Sequence, residues 1–246
     1  MRLLVDIGNT RVKWACDAGA GHLIAGTSFP SDIEALPGEL QRHWGGIERP
    51  SAVWVCNVKG AELEPVLTDW CTPLWGMAPR WIRSAPQAHG IVNAYADPSR
   101  LGADRWVAMI GAVAVFGLPV CVVSLGTAVT VDLVDADGRH RGGLIAPGLG
   151  LMKDSVLQRA EGVRPEADVE RSAFWGRDSG ACLESGIVQM TVALVERAVR
   201  QAHEDLLAEP TVVLTGGDSA TIAPRLSIRH EQAPDLVLEG LARYDG

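Results

Sequence analysis

The feature that most constrains the fold is a pattern that occurs twice. Leu3-Leu4-Val5-Asp6-Ile7-Gly8-Asn9-Thr10-Arg11-Val12-Lys13-Trp14 is an apolar, β-branched run, a short polar turn containing glycine, and a second alternating run. Pro119 to Asp132 repeats it, and an offset of 118 positions pairs Val5 with Val123, Asp6 with Ser124 and Gly8 with Gly126. Both copies read as strand, tight turn, strand. A third strand follows each, at 22–28 and at 139–146, and then a helix, at 31–44 and at 150–158. Two copies of one order of elements predict a duplicated α/β domain with a cleft between the copies. The plainer alternative is a chance likeness of two hairpins.

Between the repeats, 52–57 reads as a buried strand, 61–70 as a helix, and 81–82 as a short strand in a Pro- and Trp-rich loop. A long apolar helix from about Ala103 to Phe116 ends at Gly117 and Pro119, which sets the expected domains at 1–117 and 118–246. In the second half, 179–208 is helical by period, 210–218 is a strand running into a glycine turn, and 234–244 is a closing helix.

Composition removes several function classes. At 246 residues with 47% apolar and 21% charged, the chain is of globular type, and no stretch approaches the ~20 apolar residues of a membrane span. The short apolar start does not read as a signal peptide, so a cytoplasmic location is expected, with no membrane partner. A net charge of −8 disfavours direct nucleic-acid binding without excluding a nucleotide held by local donors and a metal ion. The cysteines, 16, 56, 71, 121 and 182, are scattered with no metal or redox spacing, so reduced and mostly buried thiols are expected.

Three glycine turns carry candidate chemistry. In the first, Gly8 admits close backbone approach, Asn9 and Thr10 offer short polar side chains, and Asp6 could hold a metal ion beside a phosphate. A turn with no ligand would use the same residues. The second is Gly126-Thr127; the third, Thr215-Gly216-Gly217-Asp218, ends an apolar strand and could equally be a plain strand-to-helix loop. Asp104 and Arg105 fall in the first turn of the long central helix, where a carboxylate is stabilised and backbone donors are open. There an Asp can accept a hydroxyl proton while an Arg holds an anion, as phosphoryl transfer to an alcohol requires. An acidic first turn with a surface Arg is the bland alternative.

Five segments together resemble type III pantothenate kinase. They are Asp-x-Gly-Asn-Thr at 6–10, Leu-Gly-x-Asp-Arg-Trp at 101–106, Gly-Thr-Ala-x-Thr-x-Asp at 126–132, Gly-Gly-x-Ile-x-Pro-Gly at 142–148 and Thr-Gly-Gly-Asp at 215–218. The resemblance implies the duplicated ribonuclease H-like fold of the acetate and sugar kinase, heat-shock protein and actin superfamily. It also implies a homodimer and ATP-dependent phosphorylation of pantothenate to 4'-phosphopantothenate, the first step of coenzyme A biosynthesis. By the same resemblance, Asp6, Ile7, Gly8, Asn9, Thr10, Arg11, Val12 and Lys13 form the ATP phosphate loop, with Asp6 near magnesium. Thr127, Gly216 and Gly217 are further ATP contacts. Tyr95, Gly102, Ala103, Asp104, Arg105 and Ser179 bind pantothenate, with Asp104 as the catalytic base. The rival functions are a transcription activator of the same family and another small-alcohol kinase of the superfamily.

Two positions depart from the family pattern. Ser124 stands where the family has an aspartate associated with a monovalent cation, potassium or ammonium, and serine keeps an oxygen but not the charge. Weakened or absent dependence on potassium is therefore expected. Ser179 replaces a threonine and keeps its hydroxyl.

Overall fold

The computed structural model describes residues 1–19, 22–24, 26–160, 163 and 174–245. It divides into two units, Met1–Gly117 with Asp235–Gly246, and Leu118–Pro234. In the first, β1 (Arg2–Ile7), β2 (Arg11–Asp17), β3 (Leu23–Ile24) and β4 (Ser28–Pro30) precede α1 (Leu36–Trp44) and β5 (Val53–Asn57). Then come α2 (Leu63–Trp75), β6 (Arg80–Ile82), the small hairpin β7 (Gln87–Ala88) and β8 (Ile91–Val92), and α3 (Ala103–Phe116). The second unit holds β9 (Val120–Leu125), β10 (Ala128–Val134), β11 (His140–Pro147), α4 (Leu149–Leu157) and α5 (Ser179–Leu206). It closes with β12 (Thr211–Thr215), α6 (Ser219–Ile222) and β13 (Glu231–Gln232), after which α7 (Leu236–Leu241) returns to the first unit.

The repeat seen in the sequence is a repeat of topology. The sheet of the first unit runs β3-β2-β1-β5-β6 and that of the second β11-β10-β9-β12-β13. In each, three strands pair antiparallel (β1, β2 and β3; β9, β10 and β11) and two more add in parallel (β5 and β6; β12 and β13), while β4 pairs antiparallel with β2 off this path. This is the duplicated ribonuclease H-like arrangement. Every residue of β5 and all but one of β9 are buried, which is why these strands read as continuous apolar runs rather than alternations.

Several expected boundaries move. Helix α1 begins at Leu36 rather than Ser31, because the Asp32 side chain accepts from the amides of Glu34 and Ala35 and makes a local turn first. Helix α2 runs on to Trp75, ended by Gly76 at φ 67°. The third strand expected over 22–28 is split into β3 and β4; Ala25, within that span, lies outside the described residues.

The expected C-terminal domain of 118–246 is corrected at its end, since α7 belongs to the first unit. Two glycines explain why. A Cβ at Gly111 would lie 2.3 Å from the Leu236 carbonyl oxygen, and one at Gly240 would lie 2.0 Å from that of Val107. Backbone therefore meets backbone where α7 crosses α3, an approach only glycine allows. Beyond α7, Arg2 donates to the carbonyls of Ala242 (2.7 Å) and Tyr244 and pairs with the buried carboxylate of Asp17, fastening the chain's end to β1.

Candidate active site

In the first unit, strand pairing sets three side chains in a row. Asp6 is the register partner of Lys13 on β2 and of Cys56 on β5, and register partners share a face of the sheet. Beside this row lies the first turn of α3. Burial, with the nearby charge of Asp104 adding to it, pushes Asp6 up to about 7, while Lys13 opposes the rise. The Cys56 thiol is pushed well up by burial and then by both carboxylates, so it stays neutral. The structure thus brings together the carboxylates that the sequence held far apart.

Asp104 is set by its helix end. Its Oδ1 accepts from the Arg105 amide at 2.8 Å, and a Cβ at Gly102 would come within 2.7 Å of that oxygen, so the glycine before it makes room. The Arg105 side chain is buried, 7% exposed, and its Nη1 donates to the Tyr95 hydroxyl at 3.1 Å. Buried guanidinium of this kind is fixed in direction and suits an anionic or carbonyl-rich ligand. Asn9, Thr10 and Arg11, at the hairpin turn, are exposed, as a ligand-binding loop must be.

The second unit has the same row without charge. Ser124 on β9 is flanked by Thr130 on β10 and Thr215 on β12, so three hydroxyls stand where the first unit has lysine, carboxylate and thiol. Around the turn at Gly126-Thr127, the other two glycine motifs close in. Gly148 donates its amide to Thr127, and a Cβ there would meet the Gly126 carbonyl at 2.0 Å. Gly216, at φ 93°, backs onto Leu125, whose oxygen a Cβ would approach to 2.3 Å and whose carbonyl accepts from the Asp218 amide at 3.0 Å. Thr127, Gly148 and Gly216-Gly217 are therefore one constellation. Ser179 is exposed at the start of α5, next to the cap in which Asp178 accepts from Ala181. Among the described residues no cluster of three or more His, Cys, Asp or Glu forms a ready metal cage.

Comparison with known proteins decides what this geometry belongs to. Residues 2–201 match the family described as type III pantothenate kinase. The type III pantothenate kinase of Nitrosococcus oceani is 34% identical over 99% of this chain and 93% of its own. That of Azoarcus sp. is 39% identical over 98% of this chain and 89% of its own. The chain belongs to the type III pantothenate kinase family. Among solved structures, a Campylobacter jejuni protein described as a Baf family transcriptional activator superposes with a TM-score of 0.62 at 18% identity, covering 97% of this chain and 94% of its own. A Sinorhizobium meliloti protein described as a 2-dehydro-3-deoxygalactonokinase gives 0.61 at 14% identity, covering 98% and 97%. These structures share the fold of the sugar kinase and actin superfamily.

In this pantothenate kinase family member, sequence reasoning missed Cys56, Ser31, Lys59 and Gly148 as neighbours of the motifs. Cys56 lies in an ordinary apolar strand, and only pairing with β1 sets it beside Asp6. Gly148 was within a quoted motif, but its contact with the second turn is a tertiary fact.

Proposed function

We propose that the chain transfers the γ-phosphoryl group of ATP to the primary hydroxyl of pantothenate, giving 4'-phosphopantothenate, the first step of coenzyme A biosynthesis. The observation that carries this reading is the row of Asp6 and Lys13 leading to the exposed turn at Asn9, Thr10 and Arg11, with Asp104 near enough for its charge to add to the rise that burial gives Asp6. Residues 6–13 take the triphosphate, and Thr127, Gly216 and Gly217 take further parts of the nucleotide. Tyr95, Gly102, Ala103, Asp104, Arg105 and Ser179 hold pantothenate. Asp104 accepts the hydroxyl proton as the oxygen attacks phosphorus, and Arg105, braced by Tyr95, holds the polar end of the acceptor. Backbone amides of the first turn face charge that spreads over the transferring group.

Magnesium fits the donor set. Two carboxylates that disfavour each other's charge, with no cage of three among the described residues, suit a dication that would complete its shell with phosphate oxygens and water. Asp6 would hold it, and it would neutralise developing phosphate charge. At Ser124 the neutral hydroxyl row does not fit a site that depends on a carboxylate for potassium or ammonium.

A homodimer is the assembly we favour. Helix α4 has no buried residue, and Ile145 (65% exposed), Trp175 (80%) and Met190 (64%) add to an uncovered apolar surface on the second unit. Light scattering of the purified chain tests it. No helix among the described residues is long and apolar enough to cross a membrane; a cytoplasmic location is what we infer for a member of this metabolic enzyme family. Kinase relatives at 34% and 39% identity over nearly the whole chain disfavour a regulator without kinase activity. The deciding experiment is ATP consumption across a panel of small alcohols, with mass detection of the product; turnover on pantothenate above all others is expected, and none on pantothenate would overturn the reading.

A further inference from the structure

The exposed turn at Asn9-Thr10 does not hold its shape alone. Ser31, fully buried just after β4, reaches both of its carbonyls: the Ser31 hydroxyl donates to the Asn9 oxygen at 3.1 Å, and its amide donates to the Thr10 oxygen at 3.1 Å. Behind Ser31 stands Lys59, whose ammonium donates to the Ser31 carbonyl and, at 3.1 Å, to the Ser31 hydroxyl. A hydroxyl has one proton, so accepting from Lys59 commits it to giving that proton to Asn9.

Lys59 is itself anchored. Its amide donates to the Asn57 side-chain oxygen at 3.0 Å, the Asn57 amide group donates to the Gly60 carbonyl at 2.8 Å, and Asn57 is only 8% exposed. Asn57 ends β5 and pairs with Ile7, and the Val58 amide donates to the Ile7 carbonyl at 3.0 Å. The relay from the β5 end to the hairpin turn is thus continuous.

Its consequence follows from peptide geometry. In a trans peptide the carbonyl and the next amide point opposite ways, so fixing the Asn9 and Thr10 oxygens toward Ser31 aims the Thr10 and Arg11 N–H groups away from it. Donors held in this way need no reorganisation when an anion arrives. We propose that Lys59 and Ser31 are positioning residues for the phosphate-binding turn, Lys59 setting the Ser31 hydroxyl and Ser31 setting the turn's amides. This rests on the assignment of residues 6–13 to the ATP phosphates. Neither residue belongs to any of the motifs, and Lys59 also contributes positive charge behind the turn.

The test is steady-state kinetics on Lys59→Met, Lys59→Arg and Ser31→Ala in the full chain, varying ATP and pantothenate separately, with Tm recorded for each. Lys59→Met and Ser31→Ala should raise the KM for ATP by about 5- to 20-fold, the scale of losing one or two hydrogen bonds, and leave that for pantothenate within about twofold. Lys59→Arg should restore most of the ATP KM. Equal loss on both substrates in step with a lowered Tm, or an unchanged ATP KM, overturns the proposal. Should Lys59→Met fail to fold, Ser31→Ala and Lys59→Arg carry the same comparison. Thr10→Ala, within the turn itself, separates the two levels of inference. A raised ATP KM in Thr10→Ala with none in Ser31→Ala refutes only the positioning role, whereas no effect in either refutes the phosphate assignment on which it rests.

Discussion

Asp6, on β1, stands in register with Lys13 on β2, and the charge of Asp104, in the first turn of α3, adds to the rise that burial gives the Asp6 carboxyl while Lys13 opposes it. On the proposed roles, Asp6 serves the cation and Asp104 the proton, and the charge of one bears on the other.

Replacing Asp104 with Asn keeps the shape and removes the base. Turnover should fall by roughly two to four orders of magnitude, the usual scale of general-base loss, while Tm and the KM for ATP stay close to the parent. Near-normal kcat in a coupled ATP assay would remove Asp104 from that role.

Asp6 makes stability depend on pH in the metal-free protein. Its folded pKa of about 7 exceeds the unfolded 3.8, so the folded state binds the extra proton between those values. The contribution is complete below the unfolded pKa and disappears as pH rises through about 7. Urea titrations in EDTA should therefore show the parent losing stability between pH 4 and 8 relative to Asp6→Asn, and the variant should be the more stable of the two at pH 8 although inactive. A constant difference across that range would contradict the assignment.

Potassium should matter little. Ser124 lies between Thr130 and Thr215, and no carboxylate stands in that row to fix a monovalent cation. Initial rates in potassium, in ammonium and in a buffer free of both should agree within about twofold. A many-fold rise on adding potassium would show that the hydroxyls suffice.

The crossing of α3 and α7 should tolerate no methyl group. Gly240→Ala would drive a Cβ to 2.0 Å from the Val107 carbonyl oxygen, and because that neighbour is backbone the helices must part. A loss of about 1–3 kcal/mol by denaturant titration is expected, with a drop in kcat because α3 carries Asp104. Gly38→Ala, on α1 where no atom lies within 4 Å of the added Cβ, serves as the control.

Much of this was legible in the chain. Apolar runs interrupted by glycine located β1, β2, β9, β10 and β12, because a strand buried on both faces has little choice of residues and its turn has fewer. Helix α3, Ala103–Phe116, was legible from its apolar stretch and its stop at Gly117 and Pro119. The start of α1 was not, since Ser31 resembles a helix cap yet its hydroxyl serves Asn9. Nor was the return of α7 to the first unit, which rests on two glycines that carry no local signal inside an apolar helix.

By itself the sequence determined the repeat, the three glycine turns and the acid at the head of α3, because local backbone geometry and burial restrict residue type position by position. Tertiary structure alone decided which of these meet. Parallel pairing of β1 with β5 set Cys56 beside Asp6 and brought Asn57, and with it Lys59, to the rear of the first turn, while the packing of α3 brought the charge of Asp104 to bear on Asp6. Such neighbours are joined by register and packing across long stretches of chain, and neither leaves a mark in the spacing of residues along it.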